Sequence, residues 1–209
     1  MRPNTNTNSP NVVTNVRSNV NSAATPDANI PIAVGFNSSS VCSLPRNLTG
    51  GSPFAGLGGG TWEKWEDNEN GFNYSCSGGT DSLKLEEVVA KIRGGYSALG
   101  DREMVRAVSA TYIALQYGGK TKEESALRPK YADFCDLLSR NLFGEPLPES
   151  IRKRIMDESL AGKANGPEFS EKVGQGLITL GVRKEKTDLL RLEVNFFPTE
   201  ADFKKFKNS

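Results

Sequence analysis

The sequence predicts a mostly α or α+β protein: a core of four to five helices with a C-terminal β-hairpin, preceded by a disordered polar N-terminal arm. Three observations predict it. Charge is unevenly spread, with 4 basic and 5 acidic side chains in residues 1–80 and the other 22 and 20 in residues 81–209. In the second stretch, apolar residues recur at helical spacing between capping residues and glycines. Near the C-terminus the apolar period shortens to two.

These observations divide the chain into three segments. Residues 1–40 are rich in Asn, Ser, Thr and Pro, with Asp27 the only acid and Arg2 and Arg17 the only bases. Such a composition buries too little apolar surface to offset chain entropy, so it predicts disorder. Within it, "NVVTNVRSNVNS" (11–22) repeats a tetrad. The repeat puts Val12, Val16 and Val20 on one face of any helix formed against a partner, which makes them the candidate self-association residues. Residues 41–80 mix glycine with Trp62, Trp65, Phe72 and Tyr74. They predict a loop-rich segment whose aromatics pack on the main domain, with a hairpin at Asn70-Gly71. Residues 81–209 form the core.

In that core, Asp81 or Ser82 caps a helix with Leu85, Val88, Val89 and Ile92 on one face, ended by Gly94-Gly95. Asp101 caps a second, with Val105, Val108, Tyr112 and Leu115, closed by Gly118-Gly119. Thr121 with Glu124 makes a capping box that Pro129 interrupts. Pro129 then opens a third helix carrying Tyr131, Phe134, Cys135, Leu138 and Leu142. Pro148 opens a fourth with Ile151, Ile155, Met156 and Leu160, and residues 168–173 add a turn or two. "GLITLGV" (176–182) and "LLRLEVNFF" (189–197) form the hairpin. There Leu190, Leu192, Val194 and Phe196 alternate with Arg191, Glu193 and Asn195 on a wet face. Thr199 with Asp202 starts a last short helix carrying Phe203 and Phe206.

The chain contains no histidine. That removes Ser-His-Asp and Cys-His nucleophile activation and every imidazole zinc site. Chemistry through Asp, Glu, Lys, Tyr or Cys stays open, but no catalytic residue is nominated, and a non-enzymatic protein without cofactor or metal is expected. "GGSPFAGLGGG" (50–60) lacks the Lys-Ser/Thr that a phosphate loop requires after its last glycine. "EDNENG" (66–71) lacks the bidentate Glu of a calcium loop, since Ser77 stands at the twelfth position. Three basic clusters stand out, Arg152-Lys153-Arg154, Arg183-Lys184 with Lys186 beside it, and Lys204-Lys205 with Lys207, and two of them converging would line a groove; the first two supply the candidate contacts to nucleic acid or a partner protein.

No apolar run reaches the length of a membrane span, and the N-terminus lacks the apolar core of a Sec signal peptide. Cys42, Cys76 and Cys135 are odd in number and far apart. They predict reduced thiols in a cytosol-like compartment or a virion, with a Cys42–Cys76 bridge as the alternative for a chain exported without a Sec signal.

In outline the build is similar to the coat proteins of filamentous plant viruses: a polar arm, a helical core and near-neutral charge. That resemblance implies a structural protein that self-associates through its arm, around nucleic acid. Residues 1–40 are also similar in composition to bacterial type III export signals. The alternative they imply is a secreted effector-like protein that binds a host or chaperone protein.

Overall fold

The structure is a computed structural model that describes residues 34–47, 52–57, 60–64, 72–85, 88–90, 92–115, 122–157, 168–185 and 189–208. Val12, Val16, Val20, Trp65, the Asn70-Gly71 turn, Leu160 and Lys186 lie outside them.

Seven antiparallel strands form the sheet, in the spatial order β1 (Glu63–Lys64), β2 (Tyr74–Thr80), β5 (Ile92–Gly100), β6 (Val105–Leu115), β9 (Leu189–Phe197), β8 (Gly176–Glu185), β7 (Phe169–Val173). A separate hairpin pairs β3 (Leu83–Leu85) with β4 (Val88–Ala90). The helices are α1 (Ser38–Val41), α2 (Leu44–Asn47), α3 (Lys122–Phe143), α4 (Glu149–Met156) and α5 (Glu200–Lys207). The predicted hairpin and the Thr199-capped last helix are present, the latter with Thr199 Oγ1 accepting from the Asp202 N–H.

The predicted helical core is overturned, because a seven-stranded sheet occupies its place. The first two predicted helices are β3, β4, β5 and β6, and residues 169–173 are strand β7. The second error has a definite cause. Gly100 pairs with Val105 and Leu99 with Ala107, so Arg106 is an extra residue in a β-bulge. The bulge brings Val105 and Val108 onto the same buried face at a spacing of three, which imitates a helix. Beyond it the strand alternates: Val108, Ala110, Tyr112 and Ala114 are all buried on one face. Gly100 is required there, since a Cβ would stand 2.1 Å from the Met104 carbonyl oxygen.

The third correction joins two elements. Pro129 lies inside a continuous 22-residue α3. Its ring forfeits one helical hydrogen bond. Leu127 and Tyr131, fully buried on either side, hold the helix against the sheet across the proline.

One face of the sheet carries α3, with Leu127, Tyr131, Phe134, Cys135, Leu138 and Leu142 inward as the apolar spacing requires. Tyr131 Oη donates to the Ala110 carbonyl at 2.7 Å, so its buried hydroxyl is satisfied. Phe54, from the loop-rich segment, inserts between helix and sheet. Its ring centroid lies 5.3 Å from Phe134 and 5.5 Å from Tyr131. Trp62 stacks on Tyr74 with centroids 6.2 Å apart.

The structure also replaces two of the expected reduced thiols. Cys42 and Cys76 form a disulfide, with Cα atoms 5.8 Å apart and a sequence separation of 34, and Cys135 remains the free, buried thiol. The bridge ties the segment after α1 to β2. Tyr96 Oη reinforces it by donating to the Val41 carbonyl at 2.6 Å.

Two outcomes follow. Phe54→Ala removes a ring from a closed aromatic cluster and should lower unfolding free energy by about 3–5 kcal/mol in a urea titration. Reducing the Cys42–Cys76 bridge releases a long loop in the unfolded state and should cost about 2–4 kcal/mol in the same assay.

Candidate functional site

The opposite face of the sheet is ordered in rows that run across β6, β9 and β8. The first row is apolar: Ala107, Phe197 and Leu177 are buried together beneath Phe203 and Phe206 of α5. The Phe197 ring lies 5.3 Å from Phe203 and 5.2 Å from Phe206. The second row, Ser109, Asn195 and Thr179, is polar and also buried. The third is Thr111, Glu193 and Gly181, and the fourth is Ile113, Arg191 and Arg183. The wet alternation of β9 thus becomes a gradient from apolar to cationic along the strands.

Beside α5, over the polar rows, lies a cleft of about 400 Å³. Gly181, Arg183, Glu193 and Asn195 line it from the sheet, Phe203, Phe206 and Lys207 from α5, and exposed Glu168 completes it. Ser109 Oγ donates to Asn195 Oδ1, and Asn195 lines the cleft. Thr179 Oγ1, fully buried in the same row, has no partner among the described residues. Arg191 Nη2 stands 2.8 Å from Glu193 Oε2, so the Glu193 charge is largely answered within the sheet.

The bulge positions the helix that walls this cleft. Arg106 is turned so that its Nε donates to Asp101 Oδ2 at 3.0 Å while its Nη1 stands 3.6 Å from Asp202 Oδ1 at the start of α5. Lys172 adds a 3.4 Å ion pair to Glu200 from the neighbouring β7. Partial burial pushes the Asp101 carboxyl up. The N–H groups of Met104 and Glu103 and the Arg106 guanidinium outweigh that and hold it below the usual carboxylate range.

Among the described residues the Arg152-Lys153-Arg154 cluster does not converge with Arg183, whereas Lys207 of the third cluster lines the cleft beside Arg183. Arg152 is paired with Asp133, Lys153 Nζ lies 3.9 Å from Glu149, and the Arg154 guanidinium sits 4.1 Å from the centre of the Phe169 ring. Phe169 is in register with Leu180, on the α3 side of the sheet, whereas Arg183 belongs to the cleft face. Lys184 stands in β8 opposite Leu190. Among the described members of these two clusters, Arg183 is the one that lines the cleft. Asn195, Ser109 and Gly181 were missed as site residues. The wet alternation of 191–195 and a lone glycine in the middle of an apolar strand were the available signals.

Among the described residues no three Cys, Asp or Glu side chains cluster as metal ligands would, and no helix is long and apolar enough to cross a membrane. The chain matches no known protein family, no curated protein and no solved structure. The cleft is therefore interpreted from its own chemistry.

Arg106→Ala should free the start of α5, seen as amide exchange about tenfold faster in residues 200–207 with α3 unchanged. Asp101 has a folded pKa below its unfolded one. Its contribution is present above the ordinary carboxyl value and lost as pH falls through the folded value. Asp101→Asn should flatten that acid-side loss in a stability-versus-pH series.

Proposed function

We propose that the protein is a non-enzymatic binding protein of an oxidising, extracytoplasmic setting, which takes its ligand or partner on the face that carries α5. The observation that carries this reading is the Cys42–Cys76 bridge. Such cross-links persist in oxidising compartments and at exposed surfaces, and a glutathione-buffered cytosol removes them. This agrees better with the exported alternative than with a reducing compartment. The ionisable groups moved furthest from their ordinary values are Tyr96, Tyr131 and Cys135. All three are raised chiefly by burial in the core on the α3 side, away from the cleft. A catalytic site is where such shifts ordinarily gather.

Self-assembly as a coat-like protein is the second reading, and what favours it is the repeat of Val12, Val16 and Val20. Packaging of nucleic acid draws less support, because the Arg152-Lys153-Arg154 cluster is engaged locally and separated from Arg183 by the sheet.

Size-exclusion chromatography with light scattering tests the two. The full chain and a Val12→Ser, Val16→Ser, Val20→Ser variant are run with and without single-stranded RNA. A small discrete species for both, indifferent to RNA, is expected. Large assemblies that vanish in the variant would overturn the binding-protein reading in favour of the coat-like one.

A further inference from the structure

We infer that the cleft beside α5 is a carboxylate-recognition site for an apolar residue bearing a free carboxylate, a chemistry shared by N-acylated apolar amino acids and peptide C-termini. The inference rests on the binding-protein reading above and names the ligand of that face.

The donors in the cleft exceed what the protein itself uses. Arg183 and Lys207 line it, and neither is paired with a described carboxylate, whereas Glu193 in the same wall is held by Arg191 at 2.8 Å. Asn195 lines the cleft and is 4% exposed, and its Oδ1 is occupied by Ser109. A guanidinium fork suits a planar carboxylate. The exposed Glu168 carboxylate in the same lining disfavours a dianionic phosphate more than a single negative charge.

The apolar half of the ligand follows from α5. Phe203 and Phe206 pack on Phe197 and also line the cleft, with the Lys207 ammonium 5.9 Å from the centre of the Phe203 ring, so the cleft wall joins aromatic surface to a cation. A volume of about 400 Å³ suits one or two residues rather than a folded partner.

Gly181 is the independent observation. A glycine inside a strand marks a bulge, a bend or a close approach. The β8–β9 register is regular through it, with Leu180↔Val194, Gly181↔Glu193 and Val182↔Leu192, so there is no bulge. A Cβ there would meet only the Glu193 carbonyl oxygen, at an ordinary 3.9 Å. The fold accepts a side chain at this position, and what glycine provides is room on the cleft floor.

Calorimetric titration of the full chain, disulfide intact, tests this with N-acetylphenylalanine, its carboxamide, phenyl phosphate, and a hexapeptide ending in Phe with free or amidated C-terminus. Binding of the free acids is expected, weakened at least tenfold by amidation. Gly181→Val should abolish it with thermal unfolding unchanged, and Arg183→Gln should weaken it at least tenfold. Binding of the peptide but not the amino acid would identify a peptide end as the source, and the converse a free acyl amino acid; either supports the site. Equal binding of acid and amide, tighter binding of phenyl phosphate, undiminished binding by Gly181→Val, or no binding of any probe would overturn it. Those failures leave the binding-protein reading to its chromatographic test, while large assemblies in that test would overturn the reading whatever the probes do.

Discussion

Eight register pairs between β6 and β9, from Val108↔Phe196 to Leu115↔Leu189, join two halves of a sheet that are otherwise assembled from neighbours in sequence. β2, β5 and β6 follow one another with only the β3–β4 hairpin intervening, and β7, β8 and β9 form a plain meander. The long-range pairing closes a loop that contains α3 and α4. It is affordable because α3 lies over the seam, with Tyr131 donating to Ala110 of β6 while its ring packs on Tyr112. Helix burial and strand pairing thus support each other, and loss of either would leave two small sheets with exposed apolar faces.

The same seam creates the functional face. Ser109 belongs to the first half of the sheet and Asn195 to the second, so their hydrogen bond exists only when β6 and β9 are paired. The two faces then part in character. The α3 side is filled by aromatic rings and closed by the Cys42–Cys76 bridge. Among the described residues the other side carries a single eight-residue helix, and a cleft lies beside it over the polar rows. Arg106 holds the start of that helix in place, because the bulge that extrudes it from the ladder turns its charge toward Asp202.

Much of the second half was legible in the sequence. The β8–β9 hairpin alternates at period two, Thr199 caps α5, and α3 and α4 carry apolar residues at helical spacing; each signal comes from neighbours within a few residues. The first half was misread for a physical reason. Val105 and Val108 owe their shared burial to a bulge, and a bulge is set by the partner strand. Gly94 and Gly95, which resemble a helix stop, lie in the middle of β5, where the partners are Tyr112 and Thr111 of β6. Pro129 resembles a helix start, but tertiary contacts by Leu127 and Tyr131 carry α3 through it.

By itself the sequence determined the local grammar of this protein: the caps, the C-terminal hairpin, the absence of histidine chemistry and the contrast between a polar first segment and a charged core. Those properties depend on residue type and short-range spacing. Tertiary structure alone decided that β3, β4, β5 and β6 are strands, that Cys42 meets Cys76, and that Arg183, Asn195 and Gly181 share a cleft with Phe203 and Phe206. Each of these is a contact between residues distant in sequence. Such contacts become favourable only when strands pair across the sheet and bury one another's apolar faces.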